Sequence, residues 1–397
     1  MKSPDEGTIS ATRSRTQLAV ALLISLAFLA PDLPAADADG DGLDDAAENE
    51  LMRHFAPLVR LHPADEYRPA SVAWYLQRVV MRFYHEAPCS DCPEGIAGWS
   101  TAELLSKSHP TKDADCEHNY SNIKSSWNTT PSPSDVTHFF LEIPHDANMP
   151  VTQRGALSSA VCYAHVRSAV RHPRMFDIQY WFFYPYNGAI PFAAHEGDWE
   201  HITVRVEEDR RTVHRVFYDA HNTGGRWFSE GEYSLENGRP VVYSAFHSHA
   251  SYPGPGTWYN GADHTGDGGP VWDCLDQLVN LGEGNAPSPG CEWIWYTGRW
   301  GEYLPYEGPE GPAFKAKWNA EYPEEDISDH AWVFVAQSSP APGDGSWAHP
   351  FHEFTDGARA VPAGGTVWIF AGAYPAVGSY TKPMTLRSVA GEVLLGR

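Results

Sequence analysis

Glycine and proline occur 34 and 32 times in 397 residues, and punctuation that dense breaks the chain before any long helix or coiled coil can run. Short strands joined by turns are the expected currency. With 15 Trp, 19 Tyr and 17 Phe, the chain has enough flat apolar surface to bury against such strands, so it is globular. The formal charge of −23 repels phosphate backbones, which excludes nucleic acid as a partner. Acidic groups instead invite hard cations.

Residues 18–30 are uncharged and mostly apolar, follow Arg13 and Arg15, stop at Pro31, and are followed by the small residues Ala35 and Ala36. That order reads as a signal peptide over residues 1–36, which predicts a secreted or extracytoplasmic protein. The apolar run is shorter than the roughly 20 residues of a spanning helix, so no transmembrane span is expected. In this leader Lys2, Arg13 and Arg15 balance Asp5, Glu6 and Asp32, so the mature chain keeps the whole −23. Asn119-Tyr-Ser and Asn128-Thr-Thr are glycosylation sequons for a eukaryotic host. The six cysteines, at 89, 92, 116, 162, 274 and 291, favour disulfides in an exported chain. Cys274 and Cys291 flank one Pro/Gly-rich loop and are the first pair expected; Cys89-Ser-Asp-Cys92 also has the spacing of half a zinc site or a redox pair.

Just after the leader, residues 37–50 carry the complete pattern of an EF-hand-like calcium loop. Asp37, Asp39 and Asp41 take positions one, three and five, and Gly42 the sharp turn. The Leu43 carbonyl takes position seven, Asp45 position nine and Glu48 position twelve. A spacing of two puts successive oxygens around one ion, and Glu48 supplies two more from the start of the following helix. The competing reading is a solvated acidic linker, because no helix precedes the loop.

Residues 46–61 place Leu51, Phe55, Leu58 and Val59 at helical spacing; 71–84 reads as a second helix or a strand, and Ser100 to Glu103 is a capping box. Strands are expected at 138–143, 159–170, 176–186, 200–206, 213–218, 240–246, 332–336 and 366–371. No long helices alternate with them, so the fold class is mainly β. The expected architecture is an antiparallel β-sandwich with peripheral short helices and long loops, forming a single domain over residues 51–397.

The densest chemistry is His195-Glu-Gly-Asp-Trp-Glu-His201. On a strand, Asp198 and Glu200 share one face and Trp199 and His201 the other. His195 lies where the preceding loop can fold it over the two carboxylates, and in Phe246-His-Ser-His-Ala, His247 and His249 would share a face. Together these make a divalent-metal site of mixed nitrogen and oxygen donors, suited to calcium, magnesium or manganese. The competing reading has the histidines bonded to backbone and Trp199 in the core. His221 is a further candidate, read as a loop histidine. No metalloprotease pair, nucleophile elbow or phosphate-cradling loop is found.

Four ordered segments resemble the vacuolar protein sorting-associated protein sixty-two family. They are Phe55-Ala-Pro-Leu-Val-Arg-Leu-His-Pro through Val72-Ala-Trp-Tyr-Leu, His195 through Ile202, Pro240-Val-Val-Tyr through His247-Ser-His-Ala-Ser-Tyr-Pro-Gly-Pro-Gly, and Gly298-Arg-Trp-Gly-Glu. The Asp-Trp-Glu element is also similar to the central heptapeptide Gly-His-Arg-His-Asp-Trp-Glu of the necrosis- and ethylene-inducing peptide-like proteins. Those are secreted cytolytic β-sandwiches that use a divalent cation to dock on a sphingolipid sugar head group. The resemblance implies cation ligands at His195, Asp198 and Glu200, with Asn187 at the place of an upstream Asp; Ala194, Glu196 and Gly197 depart from the heptapeptide.

Two function classes follow. A binding protein would grip a glycan or lipid head group through the cation, with Trp and Tyr stacking on sugar faces. A secreted metal-dependent hydrolase would use the same cation while Glu196 or His247 moved a proton. Binding is the preferred reading, because no separate nucleophile or base motif stands out. For the N-terminal loop, calcium should protect the segment around residues 37–48 from proteolysis, and an Asp39→Ala, Asp41→Ala variant should lose that protection. Equal cleavage with calcium and with chelator would reduce the loop to a linker.

Overall fold

The computed structural model describes residues 37–396 except 41–42, 86–89, 96–97, 110–122, 125–136, 170–171, 189–193, 222–224, 260–261, 303–306, 319–331, 340–342, 344, 346–349, 362–364, 377 and 389–391. The expected signal segment, Asp41, Cys89, Cys116 and both sequons lie outside the described residues, as does the side chain of Cys92.

Asp44 caps the helix α1 (Asp45–His54), its carboxylate accepting from the Ala47 amide at 2.9 Å, so the acidic loop runs directly into a helix start. Leu51 and Met52 turn inward, and the chain then enters strand β1 (Leu58–Arg60). The strands that follow build two facing sheets. One has six strands: β2 (Cys162–Ala169), β3 (His172–Asn187), β4 (His195–Val206), β5 (Val213–Tyr218), β6 (Arg226–Phe228) and, further on, β11 (Leu278–Asn280), in the order β6-β5-β4-β3-β2-β11. The other joins β7 (Leu235–Glu236), β8 (Arg239–Ser244), β1 and β10 (Val271–Asp273), with β9 (Ser251–Tyr252) hydrogen-bonded to β8. Most pairings are antiparallel, and the fold is mainly β, a sandwich with short helices at its margins.

Between the sheets, Val59, Val242 and Trp272 meet Ile178, Tyr180, Phe182, Ile202 and Val204. The opposite face of the six-stranded sheet is covered as well. There Trp181, Phe183 and Trp199 pack on Tyr75, Tyr296 and Trp300, beneath the helix Val72–Leu76 and the sheet built on Val80–Phe83 and Phe139–Glu142. Strands β3 and β4 are therefore buried on both faces, which is why they read as nearly continuous apolar runs. Each buried Trp or Phe contributes about 2 to 3 kcal/mol of transfer free energy.

Three expectations are corrected. Residues 71–84 form both a helix, Val72–Leu76, and a strand, Val80–Phe83, because the two-residue turn after Leu76 resets the period. The strands Trp332–Val335 and Thr366–Ile369 pair in parallel with Thr385–Ser388 and carry their own core against the helix Phe354–Ala360. The long connections between them allow the crossovers that parallel pairing needs. Cys274 and Cys291 are free thiols: Cys274 sits in the core between the sheets, next to Cys162, and Cys291 in the core on the other face. The six-stranded sheet separates the two sulfurs, so flanking one loop does not bring them together.

Gly197 has φ +65°, and a Cβ there would lie 1.9 Å from the Trp300 carbonyl oxygen. Only glycine fits. Gly197→Ala should lower stability by about 3 kcal/mol, read from chemical denaturation; an unchanged midpoint would show that the Trp300 backbone yields freely.

Candidate metal centre

Register fixes which side chains meet. Strand β4 pairs with β3 so that Asp198 faces Tyr184, Glu200 faces Phe182 and His195 faces Asn187. Asp198 and Glu200 thus point toward the inter-sheet side while Trp199 and His201 point away: Trp199 stacks 5.6 Å from Trp293, and His201 stacks 4.2 Å from Trp181. Both carboxylates are buried, at 5% and 7% exposure.

The second half of the cluster comes from the turn after β8. Ala245 and Ala250 close it by backbone hydrogen bonds, and His247 and His249 both sit at positive φ, 66° and 57°. This is a correction: His247 and His249 do not share a strand face, because the segment turns instead of extending. The His249 ring lies flat on Tyr184 at 3.9 Å, and its Nδ1 is 2.8 Å from Asp198 Oδ2. Its Nε2 lies 3.6 Å from Asp65 Oδ2. The Asn187 amide donates to the same Asp198 oxygen at 3.4 Å and to the Ser248 carbonyl at 3.4 Å. The His247 ring instead packs 3.7 Å from Phe246, while its backbone amide donates to Asp65 Oδ2 at 2.8 Å.

The structure places Asp198, Glu200, Asn187 and His249 in one neighbourhood and leaves three candidates, His195, Glu196 and His247, out of it. His195 Nδ1 meets the Gly197 carbonyl at 2.7 Å, and the residue lines a polar cleft of about 390 Å³ with His201, Arg299, Lys315 and Lys317. Glu196 has the parity of Asp198 yet faces the other core, where its Oε2 accepts from the Ile143 amide at 2.8 Å. The left-handed Gly197 between them reverses the alternation. Neither Glu196 nor His247 is aimed at the cluster, so the proton movers of the hydrolase reading are not in position.

His221 belongs closer than its sequence context suggests. Its Nε2 is 2.6 Å from Asp263 Oδ2, and that hydrogen bond, against the cost of burial, raises its pKa, with Asp198 and Asp219 adding to the rise. Burial opposes ionisation of Asp263, but hydrogen bonds from His221, Ser248 and Tyr252 hold its pKa below the usual value. Asp65, Ser248, Tyr252 and Asp263 were not singled out in the sequence. Asp65 follows the Leu61-His62-Pro63 segment by two residues, a position with no pattern of its own.

Glu200 is the group with the weakest counterweight, the Lys315 ammonium alone. Burial first, then the charges of Asp198 and Asp219, push its pKa well above the ordinary carboxylate value, and its Oε2 is buried with no hydrogen-bond partner. No three donors of this cluster lie within 4.8 Å of one another, so the set is open and not a closed cage. In the N-terminal loop, Asp37 accepts from the Gly40 amide at 2.8 Å, Asp45 from the Ala38 amide at 2.8 Å, and Glu48 from the Asn280 side chain at 2.9 Å. The Leu43 side chain is buried in the inter-sheet core, which ties the loop to the sandwich.

Residues 102–269 match the family described as vacuolar protein sorting-associated protein 62. The chain is similar to that family there. The yeast Saccharomyces cerevisiae protein of that name is 27% identical over 192 residues, covering 35% of this chain and 40% of its own length. A second relative from the same yeast is 28% identical over 185 residues, 36% of this chain and 38% of that one. The chain thus spans about two fifths of the length of the curated relatives it matches. Among solved structures, Necrosis and Ethylene inducing Protein 2 from the causal agent of cocoa's Witches Broom disease aligns at 12% identity and TM-score 0.30. That alignment covers 62% of this chain and 82% of the other. NLPPya in complex with glucosamine aligns at 13% identity and TM-score 0.31, covering 66% of this chain and 85% of the other.

Without a divalent ion Glu200 is more easily protonated than in the unfolded chain, so its contribution to stability is full below about the unfolded value of 4.5 and is lost as pH rises through its raised folded value. Glu200→Gln should therefore raise the melting temperature in chelator at neutral pH and lose that advantage in acid. A variant destabilised at neutral pH in chelator would mean that Glu200 has a charged partner.

Proposed function

We propose that the protein is a secreted binding protein that holds a divalent cation at Asp198 and Glu200 and uses it to recognise a polyhydroxylated head group. The observation that carries this reading is the buried, unpartnered Glu200 oxygen beside Asp198. A cation removes the repulsion between the two carboxylates and satisfies that oxygen, where a proton neutralises only one of them. Asn187 would turn its amide over to present oxygen to the ion. In this reading His249 holds Asp198 in place from Nδ1, as partners of ligating carboxylates do. The unfilled coordination positions are the ones that ligand hydroxyls or water would take.

A ligand face adjoins the cluster. A hydrogen-bonded chain leads from Asp198 through Asn187 and Ser248 to Asp263 and on to the Tyr252 hydroxyl. Tyr252 and Trp258 stack at 4.9 Å, Tyr259 stands 45% exposed and 4.5 Å from the His221 ring, and Arg226 completes the wall of a pocket of about 140 Å³. Aromatic faces beside fixed polar groups suit sugar rings, whose C–H surfaces are apolar and whose hydroxyls need directed partners. His221, His249 and Tyr259 all hold positive φ, a cost of about 1 to 3 kcal/mol each that this neighbourhood bears and ordinary loops avoid. Calcium in the loop from Asp37 to Glu48 is a separate part of the proposal, resting on its ligand spacing. No helix among the described residues is long and apolar enough to cross a membrane.

The test is binding of the purified protein to a glycan array and to glucosamine with calcium or manganese and with chelator. Asp198→Asn should lose both the cation and the sugar, whereas a Trp258→Ala, Tyr259→Ala variant should lose the sugar and keep the cation. Sugar binding that survives both chelator and Asp198→Asn would overturn the assignment.

A further inference from the structure

The far side of β4 carries a second set of donors. The strand Phe139–Glu142 ends at Glu142, the following loop brings His145, and the segment after Trp300 brings Glu302. One donor atom from each lies within 4.8 Å of the other two, and no other three His, Cys, Asp or Glu donors among the described residues converge this closely. His145 Nε2 is 3.1 Å from Glu302 Oε1, and Arg82 Nη1 donates to Glu142 Oε2 at 3.3 Å.

The independent observation is Glu196. It is 3% exposed, its Oε2 is used by the Ile143 amide, and its Oε1 is buried without a hydrogen-bond partner. Its charged neighbours here are Glu302 and Glu142, and the Glu302 backbone amide also donates to its carboxylate. Three carboxylates beside one imidazole and one arginine leave negative charge in excess.

We infer that Glu142, Glu196, Glu302 and His145 form a second divalent-metal site. Three carboxylates and one imidazole suit manganese or zinc better than calcium, which prefers oxygen donors alone. Gly197 sets this site back to back with Asp198 and Glu200: its left-handed backbone sends Glu196 to one face of β4 and Asp198 to the other. A metal here would fasten the Gly301–Glu302 segment to the strand Phe139–Glu142, next to the polar cleft lined by Arg299 and His195.

The experiment is manganese titration of the full chain, with free ion read by electron paramagnetic resonance, in an Asp39→Ala, Asp41→Ala background that removes the N-terminal loop. His145 is 60% exposed and Glu302 25% exposed, so His145→Ala and Glu302→Gln leave the fully buried core untouched. Each should weaken one class of site by about tenfold or more and leave untouched the class that Asp198→Asn removes. Wild-type manganese affinity and stoichiometry in both variants would overturn the site, and so would a single class abolished by Asp198→Asn alone. Loss of the His145-dependent class with Asp198→Asn silent would uphold this site while the cation reading on the other face failed.

Discussion

The pairing of β3 with β4 governs the rest of the molecule. These two strands are the longest, each is buried on both faces, and their register decides which residues enter which core. Because side chains alternate with a period of two, a slip of one residue would drive Asp198 and Glu200 into the tryptophan layer and carry Trp199 toward the inter-sheet side. Trp199, locked between Phe183, Trp293 and Trp300, is what makes that slip costly. The apolar face thus holds the acidic face in position.

The same two strands contain a buried carboxylate of the opposite kind. Asp177 is buried, as Glu200 is, but Arg205 grips both of its oxygens at 2.7 and 2.9 Å and Arg167 approaches to 3.6 Å. Burial works against its ionisation, yet the arginines hold its pKa below the ordinary value. Asp177 is structural by that arrangement. Glu200, at equal depth, has Asp198 and Asp219 as its strongest charged neighbours and only the Lys315 ammonium opposing them, bound to the Trp199 carbonyl. One fold showing both solutions makes the missing counter-charge at Glu200 informative, since pairing was available along the same strand.

Much of this was legible in the sequence where one strand or one helix decides the outcome. The alternation in residues 198–201 gives the correct faces, Ser100 and Glu103 form the capping box, and 213–218 is a strand with those bounds. What could not be read depends on chain crossings. Asp65 reaches the cluster from a loop and Asp263 from the strand Asp263–Thr265, both far away in sequence, and His221, which does stand in a turn, meets Asp263 beyond five intervening strands among the described residues. His195 was drawn into the site by its place just ahead of the two carboxylates and by the heptapeptide resemblance, but a glycine in place of the heptapeptide's second histidine lets the backbone turn left-handed at Gly197 and changes where the preceding residues point. The Cys274 and Cys291 pairing failed for a similar reason, as sequence proximity says nothing about which side of a sheet a thiol occupies.

Gly197 also explains why acidic residues crowd this part of the strand from both sides. A residue with a Cβ would collide with the Trp300 carbonyl, so the close approach of the Trp300 segment and the reversal of side-chain direction are one feature. With regular alternation Glu196, Asp198 and Glu200 would lie in one row, three carboxylates on a single buried face. Reversal divides them, leaving two against the His249 turn and one against Glu142 and Glu302. Each group then needs at most one added positive ion to approach balance, whereas a single row of three buried carboxylates would be far harder to neutralise. The glycine therefore sets the charge load on each face as well as the path of the chain.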